Sequence, residues 1–309
     1  MLPKKIRGQV GLLYLLARVA DTIADTKTGS ADHLIKTLDE YDSVAQGTSN
    51  ELPEMESIAA LQEHDGERRL LGNVGGVISA LEKYSEDDQK LIRKCLGIII
   101  GGQTLDLQRF GPANDLGSIS ALQHPDELDD YAYRVAGSVG EFWTRMSLAH
   151  LFKLDSEKEK EIFEKGVRFG KSLQMINILR DIPADLELGR CYIPRKSLGE
   201  HGLTPRDLLD KSNMDSFRLL YDEYLDLTSQ YLDSAVQYIE MIPHSQFRLR
   251  GSCMLPVIIG KRTVSLLRER NVLDRKDIIK IKRSEIKDLV KKVIMAVPFK
   301  GSSQRLLRE

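Results

Sequence analysis

Two pairs of aspartates sit in matching surroundings. The first lies in Tyr14-Leu-Leu-Ala-Arg18-Val-Ala-Asp21-Thr-Ile-Ala-Asp25, the second in Gln174-Met-Ile-Asn177-Ile-Leu-Arg180-Asp181-Ile-Pro-Ala-Asp185. Helical steps of three and four return to one face. Tyr14, Arg18, Asp21 and Asp25 therefore form one stripe, and Gln174, Asn177, Asp181 and Asp185 another, in the same register. One Asp-x-x-x-Asp is by base rate a solvated face. Here both pairs interrupt strongly apolar helices, and the first helix, apolar nearly all round, is expected to be buried. Carboxylates facing each other across a bundle repel and become protonated unless a cation joins them. Mg²⁺ suits such a site: few carboxylates per ion, with water and substrate phosphate filling the rest. Diphosphate is the natural bridging ligand, and Arg18, Arg180 and Arg190 would match its outer oxygens.

The elements that must position these groups read as helices. The spacing predicts helices over residues 3 to 27, 31 to 44, two between 54 and 83 with a break at His64-Asp-Gly66, and one from Ser85 towards Arg109. Ser85 with Asp88 three on reads as an N-cap. Phe110 to Pro125 reads as a loop, followed by a helix from about Asp126 to Leu154. Ser156-Glu-Lys-Glu159 reads as a capping box opening the helix of the second aspartate pair. Thr204-Pro205 reads as a helix start, and long helices over 214 to 241, 246 to 270 and 275 to 296 finish the chain. No convincing strand pair and no linker stands out, so residues 1–309 are expected to form a single all-α domain.

Composition excludes several classes. Formal net charge is −1 over 309 residues, which gives nucleic acid no global attraction. Cys95, Cys191 and Cys253 are far apart and odd in number, so a reduced, cytoplasmic compartment is the simplest reading. The six histidines show no zinc spacing. The start of the chain does not read as a signal peptide, and no apolar run is long enough to span a bilayer. Gly72-Asn-Val-Gly-Gly76 lacks the Lys-Ser/Thr of a phosphate loop. Gln103, Asp106 and Arg109 form a polar strip, read as solvated or structural rather than reaching a cavity. The Lys- and Arg-rich stretch 261–292 reads first as a solvated face, and weak peripheral attraction to an anionic membrane is the sharper alternative.

Taken together, the two aspartate blocks, Tyr131-Ala-Tyr-Arg-Val-Ala-Gly-Ser-Val-Gly140, Gly189-Arg-Cys-Tyr-Ile-Pro194 and, more faintly, Cys253-Met-Leu-Pro256 resemble the squalene and phytoene synthases, head-to-head isoprenyl diphosphate synthases. The likeness is greatest to a bacterial squalene synthase. It implies an all-α isoprenoid-synthase bundle around a central cavity. It also implies Mg²⁺ and two prenyl diphosphates held by Asp21, Asp25, Asp181 and Asp185, with Tyr14, Gln174 and Asn177 on the same stripes. Arg18, Arg180 and Arg190 match diphosphate-binding arginines. Tyr131 matches a tyrosine assisting ionisation or proton handling, Tyr192 one near the diphosphate, and Val135, Gly137 and Gly140 residues lining the cavity. The implied reaction joins two farnesyl diphosphates through a cyclopropyl diphosphate, with hydride from NADPH giving squalene. Proton loss instead gives a dehydrosqualene or phytoene-type product, the latter from geranylgeranyl diphosphate. A non-catalytic scaffold relative is the alternative of another class, whose mark would be an eroded aspartate pair. Three departures stand out: the family's helix before Leu2-Pro3 is expected to be missing, Pro183 falls inside the second pair, and position 134 is Arg.

Overall fold

Helix α1 (Lys4–Ala24) begins after Pro3, whose fixed φ and missing N–H suit a helix start. The computed structural model describes residues 2–26, 30–112 and 119–308. The expected stop of α1 at Lys27 to Gly29 and part of the loop after Phe110 lie outside the described residues. In α1 the buried side chains Leu12, Leu13, Leu16, Val19 and Ile23 follow helical spacing, while Tyr14 and Leu15 face outward. The helix is thus half-buried at the bundle edge, not buried on every side as its composition suggested.

Helix α2 (Ala31–Gln46) is capped by Ser30, whose hydroxyl accepts from His33 N–H, and ends at Gly47 with φ +80°. That conformation is open to glycine and strained for L side chains. Three short helices replace the two expected: α3 (Glu56–Ala60), α4 (Asp65–Leu71) and α5 (Val74–Ser79). Helix α6 (Glu86–Phe110) starts as expected, with Ser85 Oγ accepting from Asp88 N–H at 3.3 Å. Helix α7 (Pro125–Ala132) runs into a π-helical turn (Tyr133–Gly137) and on into α8 (Ser138–His150). Sequence periodicity had shown one regular helix there.

Helix α9 (Ser156–Arg180) is capped by Asp155, not Ser156: Asp155 Oδ1 accepts from Lys158 N–H at 3.0 Å. Asp181 ends α9, and Pro183 sits in the first turn of α10 (Ile182–Glu187), where a missing N–H does no harm. After α11 (Arg195–Glu200), Thr204-Pro205 starts no α-helix. The Asp207 carboxylate takes both Thr204 N–H and its hydroxyl at 2.7 Å, closing a 3₁₀ turn instead. Helices α12 (Met214–Met241) and α13 (Phe247–Glu269) match expectation, whereas α14 begins only at Arg283 (Arg283–Ala296) and is followed by α15 (Lys300–Arg308).

Helix α9 is the central element, packed by α8, the π turn, α12 and α13, while α6 packs against α1, α2 and α8. The fold is all-α apart from a two-residue parallel pair, β1 (Ser120–Ala121) with β2 (Arg190–Cys191). Two residues are too few for any periodicity, so this pair was not expected. Among the described residues no helix is long and apolar enough to cross a membrane.

Candidate active site

One member of each aspartate pair, Asp25 and Asp185, meets Arg190. This arginine stands on β2, its side chain only 10% exposed, with Nη1 3.9 Å from Asp25 Oδ1. Its charge also acts on Asp185 and on Asp106. Asp185 follows the break at Asp181, yet Asp185 N–H still donates to Asp181 C=O at 2.9 Å. Pro183 therefore turns the second stripe without removing Asp185 from it. Burial, then the neighbouring charge of Asp181, pushes the Asp185 carboxyl up to about 7, with Asp106 and Asp25 adding to the effect against Arg190. Burial, then Asp25, pushes Asp21 up to about 6, against Arg18. Asp25, its side chain 70% exposed at the rim of the group, is raised as well, chiefly by the protein that displaces part of its solvent.

The three arginines already have acidic partners. Arg180 forms a two-pronged bridge to Asp181, Nε to Oδ1 at 2.8 Å and Nη2 to Oδ2 at 2.5 Å. Arg18 is bonded to Glu67 on α4, an acid the sequence did not single out. Tyr14 stands 66% exposed one turn before Arg18.

A buried relay lies behind Arg190. Tyr131 OH donates to Tyr192 OH at 3.3 Å, and Tyr192 OH donates to Asp106 Oδ2 at 2.5 Å. The two phenol rings stack at 4.7 Å. Burial pushes the Asp106 carboxyl up to about 6, while the Tyr192 hydrogen bond and Arg190 hold it down. Both phenols are pushed well above their ordinary value, first by burial. Gln103, one turn before Asp106, donates to Asp21. The polar strip on α6 therefore belongs to the site and is not a solvated face. The available signal was a carboxylate and an amide inside a largely apolar run, Cys95 to Leu107. Arg109, the third member, pairs with Glu127 at 3.7 Å.

An apolar cavity of about 340 Å³ opens at the start of the second stripe. Val135, Val139, Trp143, Phe169, Leu173 and Pro256 are among its walls, with Gln174 and Asn177 at its polar side. Asn177 is one turn before Asp181, so the cavity meets the second stripe directly. Pro256, inside α13, removes a bond to the Ser252 carbonyl, and both residues line the hollow. Gly140 lines it too. Gly137 does not: it is buried against Tyr133, Val167 and Lys171, a packing position. Arg134 points away into a bridge with Asp130 at 2.8 Å.

The donor set can be tested against Mg²⁺. Among the described residues no group of three or more His, Cys, Asp or Glu side chains is arranged to hold an ion. Mg²⁺ does not need one, since it takes one or two carboxylates and completes its sphere with water and phosphate. Crowded carboxylates pushed towards neutral pH, with the buried oxygens Gln103 Oε1 and Asp106 Oδ1 left without partners, are hard donors short of a cation. The set fits.

Comparison with known proteins shows a family and a fold. The squalene/phytoene synthase family model matches residues 1–284. The 15-cis-phytoene synthase of Synechocystis is 28% identical over 235 residues, 73% of this chain and 59% of its own. The bifunctional lycopene cyclase/phytoene synthase of Gibberella fujikuroi is 32% identical over 123 residues, 40% of this chain and 21% of its own. The chain thus matches less than two thirds of the length of either relative. A solved ligand complex of TcSQS superposes with TM-score 0.80 at 17% identity, covering 99% of this chain and 82% of that one, a likeness of fold.

Proposed function

We propose that this chain, which belongs to the squalene/phytoene synthase family, condenses two farnesyl diphosphates head to head, through a cyclopropyl diphosphate, to squalene, with both diphosphates released and NADPH supplying the hydride of the last step. The observation that carries this reading is the meeting of Asp25, Asp185 and Arg190, with one acid from each pair, while an apolar hollow opens at Gln174 and Asn177 of the second stripe. Asp21, Asp25, Asp181 and Asp185 would hold Mg²⁺, which when bound neutralises diphosphate and makes it a better leaving group. Arg18, Arg180 and Arg190 bind its outer oxygens, exchanging their carboxylate partners for phosphate. The C1–O bond of one substrate then breaks, its electron pair leaving with diphosphate. The alkene of the second substrate attacks that carbon, and loss of a proton closes the ring. Tyr131, hydrogen-bonded through Tyr192 to Asp106, would manage that proton. The cavity wall excludes water from the cations.

The likeness to phytoene synthases favours a second reading, phytoene synthase acting on geranylgeranyl diphosphate. Purified protein incubated with each diphosphate and Mg²⁺, with and without NADPH, decides by the hydrocarbon formed. Squalene appearing only with NADPH supports the first reading; a C40 product sinks it. Asp21→Ala and Asp181→Ala are expected to abolish turnover with helicity unchanged, and retained turnover in either would refute the assigned roles.

A further inference from the structure

Between the tyrosine relay and the apolar cavity the chain is wound wide for one turn. Ser138 N–H donates to the Tyr133 carbonyl, five residues back, and the Ser138 hydroxyl donates to the Arg134 carbonyl at 2.7 Å. In a regular helix that second oxygen would take Ser138 N–H. The turn thus holds one residue more than an α-helical turn, and the stretch before it is rotated by about 100° relative to α8. Tyr131, before the turn, stacks on Tyr192, while Val135 and Val139, in and after it, wall the cavity. Turns of this kind are rare, so this one needs support.

The support comes from side chains outside the cavity. Tyr133, the first residue of the turn, donates its hydroxyl to Glu141 Oε2 at 3.2 Å, a bond that spans the whole turn. Glu141 is itself fixed, taking Lys94 Nζ at 3.1 Å and Arg145 Nε and Nη2 at 3.0 and 2.8 Å. Burial works against its charge, yet the bonds from Arg145 and Lys94 outweigh it and hold the carboxyl below its ordinary range. Lys171 Nζ, gripped by both Asp129 oxygens at 2.7 Å, lies over the Tyr133 ring at 6.0 Å from its centre. Neither Tyr133 nor Glu141 lines the cavity. We propose that Tyr133 and Glu141 are positioning residues: their hydrogen bond clamps the π turn, and the clamped turn keeps Tyr131 against Tyr192. The consequence for catalysis rests on the proton-handling role given to Tyr131 above. Ion pairing alone would need only Lys94 and Arg145, and leaves a neutral phenol on the same carboxylate without a purpose.

Steady-state kinetics and tyrosine nitration of the full chain test the proposal. Tetranitromethane modifies accessible phenols, and mass spectrometry locates them. Tyr131 is buried and Tyr14 is 66% exposed, so Tyr14 serves as the internal reference. Tyr133→Phe keeps the ring over Lys171 and removes only the hydroxyl. That variant and Glu141→Ala are expected to raise nitration of Tyr131 severalfold relative to Tyr14. Both should lower kcat about tenfold with KM within about twofold of wild type. Glu141→Gln keeps an acceptor for Tyr133 and is expected to retain both the protection and the kcat. In a Tyr131→Phe background, Tyr133→Phe should cost less than about twofold in kcat, because both act through one phenol. Unchanged nitration in Tyr133→Phe overturns the proposal, as does a full tenfold loss in the Tyr131→Phe background. So does Glu141→Gln as damaging as Glu141→Ala, or a lowered melting midpoint in Tyr133→Phe with kcat unchanged. If Tyr131→Phe alone turns over as wild type, the role given to Tyr131 fails, and nitration by itself then decides the clamp.

Discussion

Asp106 is the residue whose position changes its meaning most. Its carboxylate accepts from Tyr192, which in turn accepts from Tyr131, and its other oxygen is buried without a partner. A buried charge left half-satisfied is costly and persists where it has work to do. Asp106→Asn keeps the shape and removes the charge that orients the two phenols. Turnover is expected to fall by about two orders of magnitude, the lower end of the range for proton-handling groups, with circular dichroism unchanged. Wild-type turnover would leave the relay a packing feature only. Glu67 holds Arg18 in the absence of diphosphate. Glu67→Gln frees that guanidinium, so inorganic pyrophosphate should inhibit the variant at severalfold lower concentration. Unchanged inhibition would mean that Arg18 does not meet phosphate.

At the scale of elements, the π turn and two glycines decide how closely α8 and α9 approach. A methyl group on Gly170 would lie 2.1 Å from the Ala136 carbonyl oxygen, and one on Gly140 2.0 Å from that of Gly166. Both neighbours are backbone and cannot swing aside. Gly170→Ala must push the helices apart, and overpacking of this kind costs about 1–3 kcal/mol. A thermal melt should show a clearly lowered midpoint. Gly11→Ala, where nothing lies within 4 Å of the added methyl, should melt as wild type or slightly higher. The same close approach sets Val135 and Val139 on the cavity wall, so the glycines serve packing and site together.

At the scale of the molecule, the crowded carboxylates link stability to pH. Asp185 is pushed up to about 7 and Asp21 and Asp106 to about 6, all above their ordinary 3.8. Between these values the folded chain binds more protons than the unfolded one, so stability falls as pH rises through roughly 4 to 7. The melting midpoint without ligand is expected to be higher at pH 5 than at pH 8. Asp185→Asn should flatten that slope, and Mg²⁺ with pyrophosphate should restore stability at pH 8 more than at pH 5. A midpoint that rises from pH 5 to pH 8 without ligand would contradict the crowding described.

The sequence alone determined the all-α class, both aspartate stripes and the tyrosine and arginine blocks, because each is a short-range pattern that helical spacing makes readable. Even the bend at Pro183 was visible, since proline acts on its own backbone. Tertiary structure alone decided that Gln103, Asp106 and Glu67 join the site and that Gly137 packs instead of lining the cavity. It alone decided the π turn and the two-residue strand that sets Arg190 between the acids. These depend on which helix faces which, and a face buried against solvent and a face buried against a site carry the same periodicity in the chain.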